Sequence, residues 1–311
     1  MASIQERLAD SLEVLKKYQD THENLVINGQ QELGTIHTKR LVQNGYLQPV
    51  IKGWYIPSFP ESEGDTTVWY ASYWNFIVAY ANKRFGENWC LTAEESLSFY
   101  AGETVAPCQL IIRTPKGSNN VISLMFGDSL MDITASLPKQ IEVDKQYGVH
   151  LYPLAEALVF CSPQYFKAEA LNARTCLFAL KDASEILKIV TEEGNTTRAA
   201  RIVGALRSIG RKDMADEIEN LMLRLGYELR QEKPFEDNSS ILFERQLSPY
   251  ATRIKLLWQE MRAQILSLEL PQPALPLNHE EILSNMEANY VKDSYHSLSI
   301  EGYRVTEGLI E

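Results

Sequence analysis

Hydrophobic and polar positions alternate along this chain in distinguishable regimes, and the changes of period outline its elements. Ile4, Leu8, Leu12 and Leu15 recur at helical spacing with Ser3 placed to cap them, which predicts a first helix over residues 3–18. A short segment near Leu25–Leu33 follows. Gly34 then marks a turn, a second short helix is expected from Thr35 to Asn44, and Gly45 stops it. Residues 46–56, Tyr-Leu-Gln-Pro-Val-Ile-Lys-Gly-Trp-Tyr-Ile, read as strand, turn and strand. Two short helices followed by a hairpin is the plan of a winged helix-turn-helix, expected here over residues 1–60.

An acidic, glycine-containing break at Glu61–Asp65 separates this segment from an aromatic helix over Thr67–Phe85. Its Trp69, Tyr73, Phe76, Ile77 and Tyr80 form a broad stripe expected to face a core. Leu110–Arg113 and Val121–Phe126 read as strands on either side of the turn-forming residues 115–120. A mixed α+β domain over 66–160 is therefore expected. From about residue 165 the pattern becomes helical. One helix runs from a cap at Thr196/Thr197 to Gly210, another from Asp213 to Gly226, and two more cover 249–268 and 279–300. A helical domain over 165–270 and a terminal segment over 278–311 follow, with the prolines at 271, 273 and 276 forming an extended spacer between them. The fold class expected is α+β.

Composition narrows the function classes. At 311 residues the chain can hold two or three domains of about 100–150 residues each. No run approaches the roughly 18 apolar residues of a membrane span, and the start lacks the plan of a signal peptide, so a cytoplasmic protein without a membrane partner is expected. Cys90, Cys108, Cys161 and Cys176 are widely spaced with no Cys-x-x-Cys pair, which reads as buried thiols without a metal. A formal charge of -11 repels nucleic acid over most of the surface. Residues 1–60 are locally neutral, because Arg7, Lys16, Lys17, Lys39, Arg40 and Lys52 match Glu6, Asp10, Glu13, Asp20, Glu23 and Glu32. If residues 20–57 bind DNA, the second short helix supplies Thr35, His37, Thr38, Lys39 and Arg40, and Lys52 in the wing touches phosphate. The run Arg198, Arg201, Arg207, Arg211, Lys212 is read as a salt-bridged helix surface, since acidic residues flank it.

The last helix carries a distinct constellation. Ser297 and Glu301 stand four residues apart on one helical face, and Gly302 is a natural stop directly after. A carboxylate in the last turn opposes the helix dipole, which favours pairing with a cation. Together with the preceding helix and linker, residues 290–306 resemble the inhibitory helix of bacterial Fic-type AMP-transferases, with the pattern Ser/Thr-x-x-x-Glu-Gly. The resemblance implies that Glu301 competes with a nucleotide phosphate for a catalytic-loop arginine and that Ser297 supports it. Resemblance to a region preceding the Fic catalytic domain extends over about 190–311. Residues 1–160 resemble AbiEi-type antitoxin regulators, matched at Leu41–Tyr55 and Glu95–Gly102.

The Fic catalytic motif begins His-Pro-Phe, and none of the five histidines here precedes a proline; no Gly-x-Gly pair offers a phosphate-cradling loop. No catalytic residue, cofactor or metal site is therefore assigned to this chain, and ATP and Mg are expected only in a Fic catalytic domain, in cis or in trans. The position of the motif just before Glu311 favours a longer parent protein. A stand-alone transcriptional antitoxin acting on operator DNA, an interaction scaffold and a homodimer remain open at this point.

Overall fold

In a computed structural model, the residues described are 3–22, 26–60, 66–235, 248–268 and 278–300. The chain is α+β and forms two compact units, Met1–Gln259 and Glu260–Glu311. Among the described residues no helix is long and apolar enough to cross a membrane.

The N-terminal module begins with α1 (Ile4–Thr21), opened by a reciprocal capping box in which Ser3 Oγ accepts from the Glu6 N–H and Glu6 accepts from the Ser3 N–H. Next come β1 (Ile27–Asn28), α2 (Gly29–Glu32), α3 (Thr35–Gln43), β2 (Leu47–Ile51) and β3 (Trp54–Pro57). The strands form one antiparallel sheet in the order β1-β3-β2, and Lys52-Gly53 make the tight turn between β2 and β3. Leu15, Ile27, Leu33, Leu41 and Leu47 form a small core between helices and sheet. Period-two alternation gives β3 two apolar faces. Tyr55 packs into that small core, while Trp54 and Ile56 join a second core built on α4 (Thr67–Phe85).

The α4 helix is buried on most of its circumference, as its all-round apolar sequence requires. Its Trp69, Tyr73, Phe76, Ile77 and Tyr80 all lie inside, as the stripe predicts. They pack on a four-stranded sheet of β4 (Cys90–Leu91), β5 (Gln109–Thr114), β6 (Val121–Ser123) and β7 (Ser129–Thr134), in the order β4-β5-β7-β6. The two strands expected at 110–113 and 121–126 are therefore not neighbours. β7 lies between them, parallel to β5 and antiparallel to β6. The predicted second strand also stops at Ser123, because Met125–Gly127 form a helical turn with Phe126 at φ 54°. Asp132 in β7 is fully buried; one carboxylate oxygen accepts from the backbone and hydroxyl of Ser118, and the other lies 3.4 Å from Arg84.

A third core joins this sheet domain to the helices that follow. It combines Leu97 of α5 (Ala93–Tyr100) and the Ala101 that caps it with α6 (Leu154–Phe160), α7 (Tyr165–Ala168), α8 (Ala170–Ala179), α9 (Ser184–Glu193), α10 (Thr196–Ser208) and α11 (Lys212–Arg224). Between α5 and α6 lies a short ribbon, β8 (Glu142–Val143) with β9 (His150–Leu151). The segments expected as separate domains at 66–160 and 165–270 thus share one hydrophobic cluster. The cap of α10 is the Asn195 side chain rather than Thr196 or Thr197, and α11 starts at Lys212 without a side-chain cap. The first turns of α12 (Pro249–Ser267) join the same body, with Thr252 and Leu256 buried and Arg253 paired to Glu103 at 3.1 Å. In the second unit, α13 (His279–Ile300) is a continuous helix.

Cys90, Cys161 and Cys176 are buried free thiols and Cys108 is exposed. Among the described residues no group of His, Cys, Asp or Glu could hold a metal ion.

Gly29 is where the N-terminal module tolerates least. A Cβ there would stand 2.6 Å from Thr38 Cγ2 and 2.7 Å from the Tyr55 ring, with α3 and β3 fixed on either side. Gly29→Ala is expected to destabilise the protein by about 1–3 kcal/mol, the usual range for overpacking, seen as a lower urea midpoint with unchanged m-value.

Candidate functional site

The third helix of the N-terminal module, α3, presents a mixed surface whose phase is set by Leu41. With Leu41 in the core, Thr38 three residues earlier lies on the same inward side, and Thr35, Ile36, Lys39 and Gln43 are exposed. Gly34 reaches φ +80° at the turn into α3, a conformation that L side chains seldom adopt. Ile36 is 71% exposed, an apolar side chain standing in water on the first turn of the helix.

Three of the six sequence-predicted contacts occupy other positions than expected. Thr38 is 5% exposed, and its hydroxyl donates 2.8 Å to the Gly29 carbonyl and 2.9 Å to the Gly34 carbonyl. It ties α3 to α2 and cannot reach a ligand outside. Arg40 Nη1 donates 2.6 Å to the Arg7 carbonyl and 2.7 Å to Ser11 Oγ, which anchors its guanidinium on α1. His37 Nδ1 lies 3.0 Å from the same Ser11 hydroxyl. Thr35 and Lys39 do share the exposed face, and Lys52 is exposed at the tip of the β2–β3 turn. Sequence reasoning missed Ile36 and Gln43, although the phase defined by Leu41 places both outward.

The arginine-rich run on α10 and α11 is consumed by structure. Buried Arg201 donates 3.0 Å to the carbonyls of Val159 and Cys161, and Arg211 donates 2.8 Å to those of Leu177 and Leu180, so each satisfies the exit of a helix. Arg198 pairs with Glu193, and Arg207 with Asp216 and Glu219. The expected salt-bridged surface holds for Arg198 and Arg207, whereas Arg201 and Arg211 point inward.

Of the motif in the last helix, Ser297 lies on α13 and is exposed; Glu301 and Gly302 lie outside the described residues. No protein-family model matches this sequence, and no curated protein matches it either.

Beside the α12 contact lies a knot of carboxylates. Glu103 accepts from Arg253 and Asn172, while burial, with Glu94, Glu103 and Glu169 nearby, pushes Glu95 up to about 7. An unfolded Glu95 loses its proton near 4.5 and the folded one near 7. Between those values the folded state binds more protons, so stability falls as pH rises and levels off above about 7. Glu95→Gln should remove that loss. Its unfolding free energy from urea titration is expected to exceed wild type at pH 8, by on the order of 2 kcal/mol, and to match it at pH 4.

Proposed function

We propose that this chain is the regulatory part of a Fic-type protein adenylyltransferase, in which the N-terminal module is a winged helix-turn-helix that binds DNA and the C-terminal helix restrains a Fic catalytic domain, in cis or in trans. The observation that carries the DNA-binding half is the exposed face of α3. Helix order, the β1-β3-β2 sheet and the Lys52-Gly53 turn supply the framework in which such a helix enters a major groove. Thr35 and Gln43 offer hydrogen bonds to base edges, Ile36 suits a thymine methyl, and Lys39 and Lys52 reach phosphate. Arg40 and Thr38 have no part in this reading.

Two lysines imply weak binding that depends little on salt. A slope of log K against log[salt] near -2 is expected, because each neutralised phosphate contributes about -0.9. In gel shifts with DNA from upstream of its own gene, Lys39→Ala should weaken binding to all sequences alike and reduce the slope by about 1. Ile36→Ala should cost about 1 kcal/mol for the preferred site only. A wild-type protein that retains no DNA at 50 mM salt would remove this half of the reading and leave a protein-contacting module.

The inhibitory half rests on the Ser297/Glu301/Gly302 motif, supported by the exposure of Ser297 on the long helix α13. A carboxylate and a γ-phosphate compete for one guanidinium because its fork fits both. ATP and Mg belong to the catalytic domain in this scheme. In a full-length version that carries the catalytic domain, Glu301→Gly should raise AMP incorporation from labelled ATP by about tenfold or more, since one charge-assisted pair is worth about 1.5–3 kcal/mol. Unchanged labelling would count against it.

A further inference from the structure

A cleft of about 560 Å³ opens between β5, the loop at 135–139 and helices α6, α9 and α10. This volume suits a small metabolite. Four carboxylates and three cations line it. Most of them are already matched. Lys139 pairs with Glu192 at 2.6 Å, Arg198 pairs with Glu193 at 2.8 Å, and the Glu94 carboxylate accepts from the Ser162 N–H at 2.8 Å.

Two groups are left over, one of each sign. Arg113 is held over the Tyr152 ring at 5.7 Å and donates once, from Nη2 to the Ser136 carbonyl at 3.1 Å; its Nε is buried without a partner. A guanidinium has five donors, so this one has capacity to spare. Glu156, in the first turn of α6, lines the same cleft and forms neither an ion pair nor a hydrogen bond, and the desolvation it suffers raises its pKa. The two are not paired with each other. Phe160, Ile189 and Leu137 add apolar surface to the lining, Phe160 with the Arg198 guanidinium 4.6 Å over its ring.

We propose that this cleft binds a free amino acid with an apolar side chain, its carboxylate on Arg113 and its ammonium on Glu156. A purely anionic ligand would meet an excess of carboxylates, and a purely cationic one would leave Arg113 unmatched. A zwitterion answers both leftover charges at once, and the apolar wall selects its side chain. The inference is independent of the DNA-binding and Fic readings.

The test is titration calorimetry of the full chain with L-leucine, L-methionine and L-phenylalanine, and with two analogues of leucine that each lack one charge, 4-methylpentanoate and 3-methylbutylamine. At least one amino acid should bind with millimolar or tighter Kd. If leucine binds, each analogue should bind about tenfold weaker or worse, the loss expected when one charge-assisted hydrogen bond goes unmade. Glu156→Gln, which keeps size and shape, should weaken the amino acid by a similar factor while leaving the far-UV spectrum and urea midpoint close to wild type. Arg113→Gln should abolish binding. The proposal is overturned if none of the three amino acids binds below 10 mM, if an analogue binds as tightly as leucine, or if Glu156→Gln binds as wild type does.

Discussion

The two faces of β3 hold the N-terminal module and the α4 domain in one packed body. Trp54 meets Phe76 and Tyr80 edge-on at 6.0 and 6.2 Å, and Tyr55, one residue along, faces the core under α1 and α3. A short three-stranded sheet with a five-residue core has little stability of its own, so aromatic burial on its other side supplies what the small module lacks. The β2–β3 turn inherits this rigidity. Its Lys52 projects from a strand pair whose root is buried on both sides, and α3 is fixed against the same sheet by the close approach of Gly29 to Thr38 and Tyr55. Position and exposure of the α3 face are therefore consequences of the core and not of loop conformation.

Much of this was legible in the sequence because it depends on local chemistry with a fixed period. The Ser3 cap, the α3 limits at Gly34 and Asn44, the hairpin turn at Lys52-Gly53 and the inward stripe of α4 all appear where spacing places them. What escaped is tertiary in origin. β7 was missed because its pattern contains Asp132, a carboxylate that is buried only because Ser118 and Arg84 come to it from distant positions. Thr38 reads as a surface threonine until its hydroxyl is seen to serve two carbonyls. Arg201 reads as a surface cation, yet the two carbonyls that hold it belong to residues some forty positions earlier. No local pattern announces such partners.

The fate of the arginines also bears on which partner an acidic protein can accept. With a formal charge of -11, a polyanion is repelled by most of the surface, and the basic run on α10 and α11 offers little relief, since its four arginines are turned into helix exits or matched by carboxylates. Lys39 and Lys52 stand on a segment whose own charges cancel, which lowers the local barrier to phosphate approach without creating a strong attraction. Binding under those terms must lean on shape and base contacts, for which Ile36 on the first turn of α3 offers an exposed apolar group.

The same accounting separates scaffold from site in the cleft. A charge that is paired costs the fold little, and one at the open surface is solvated by water, but a carboxylate partly desolvated in a cleft without a hydrogen bond or ion pair of its own works against stability. Glu156 is such a group, and Arg113 beside the same space is a guanidinium held in place by Tyr152 with donors unused. Pairing them with each other would have relieved both. The chain instead spends Lys139 and Arg198 on the rim carboxylates, closing those charges off and leaving one cation and one anion facing a volume large enough for a ligand that bears the complement of each.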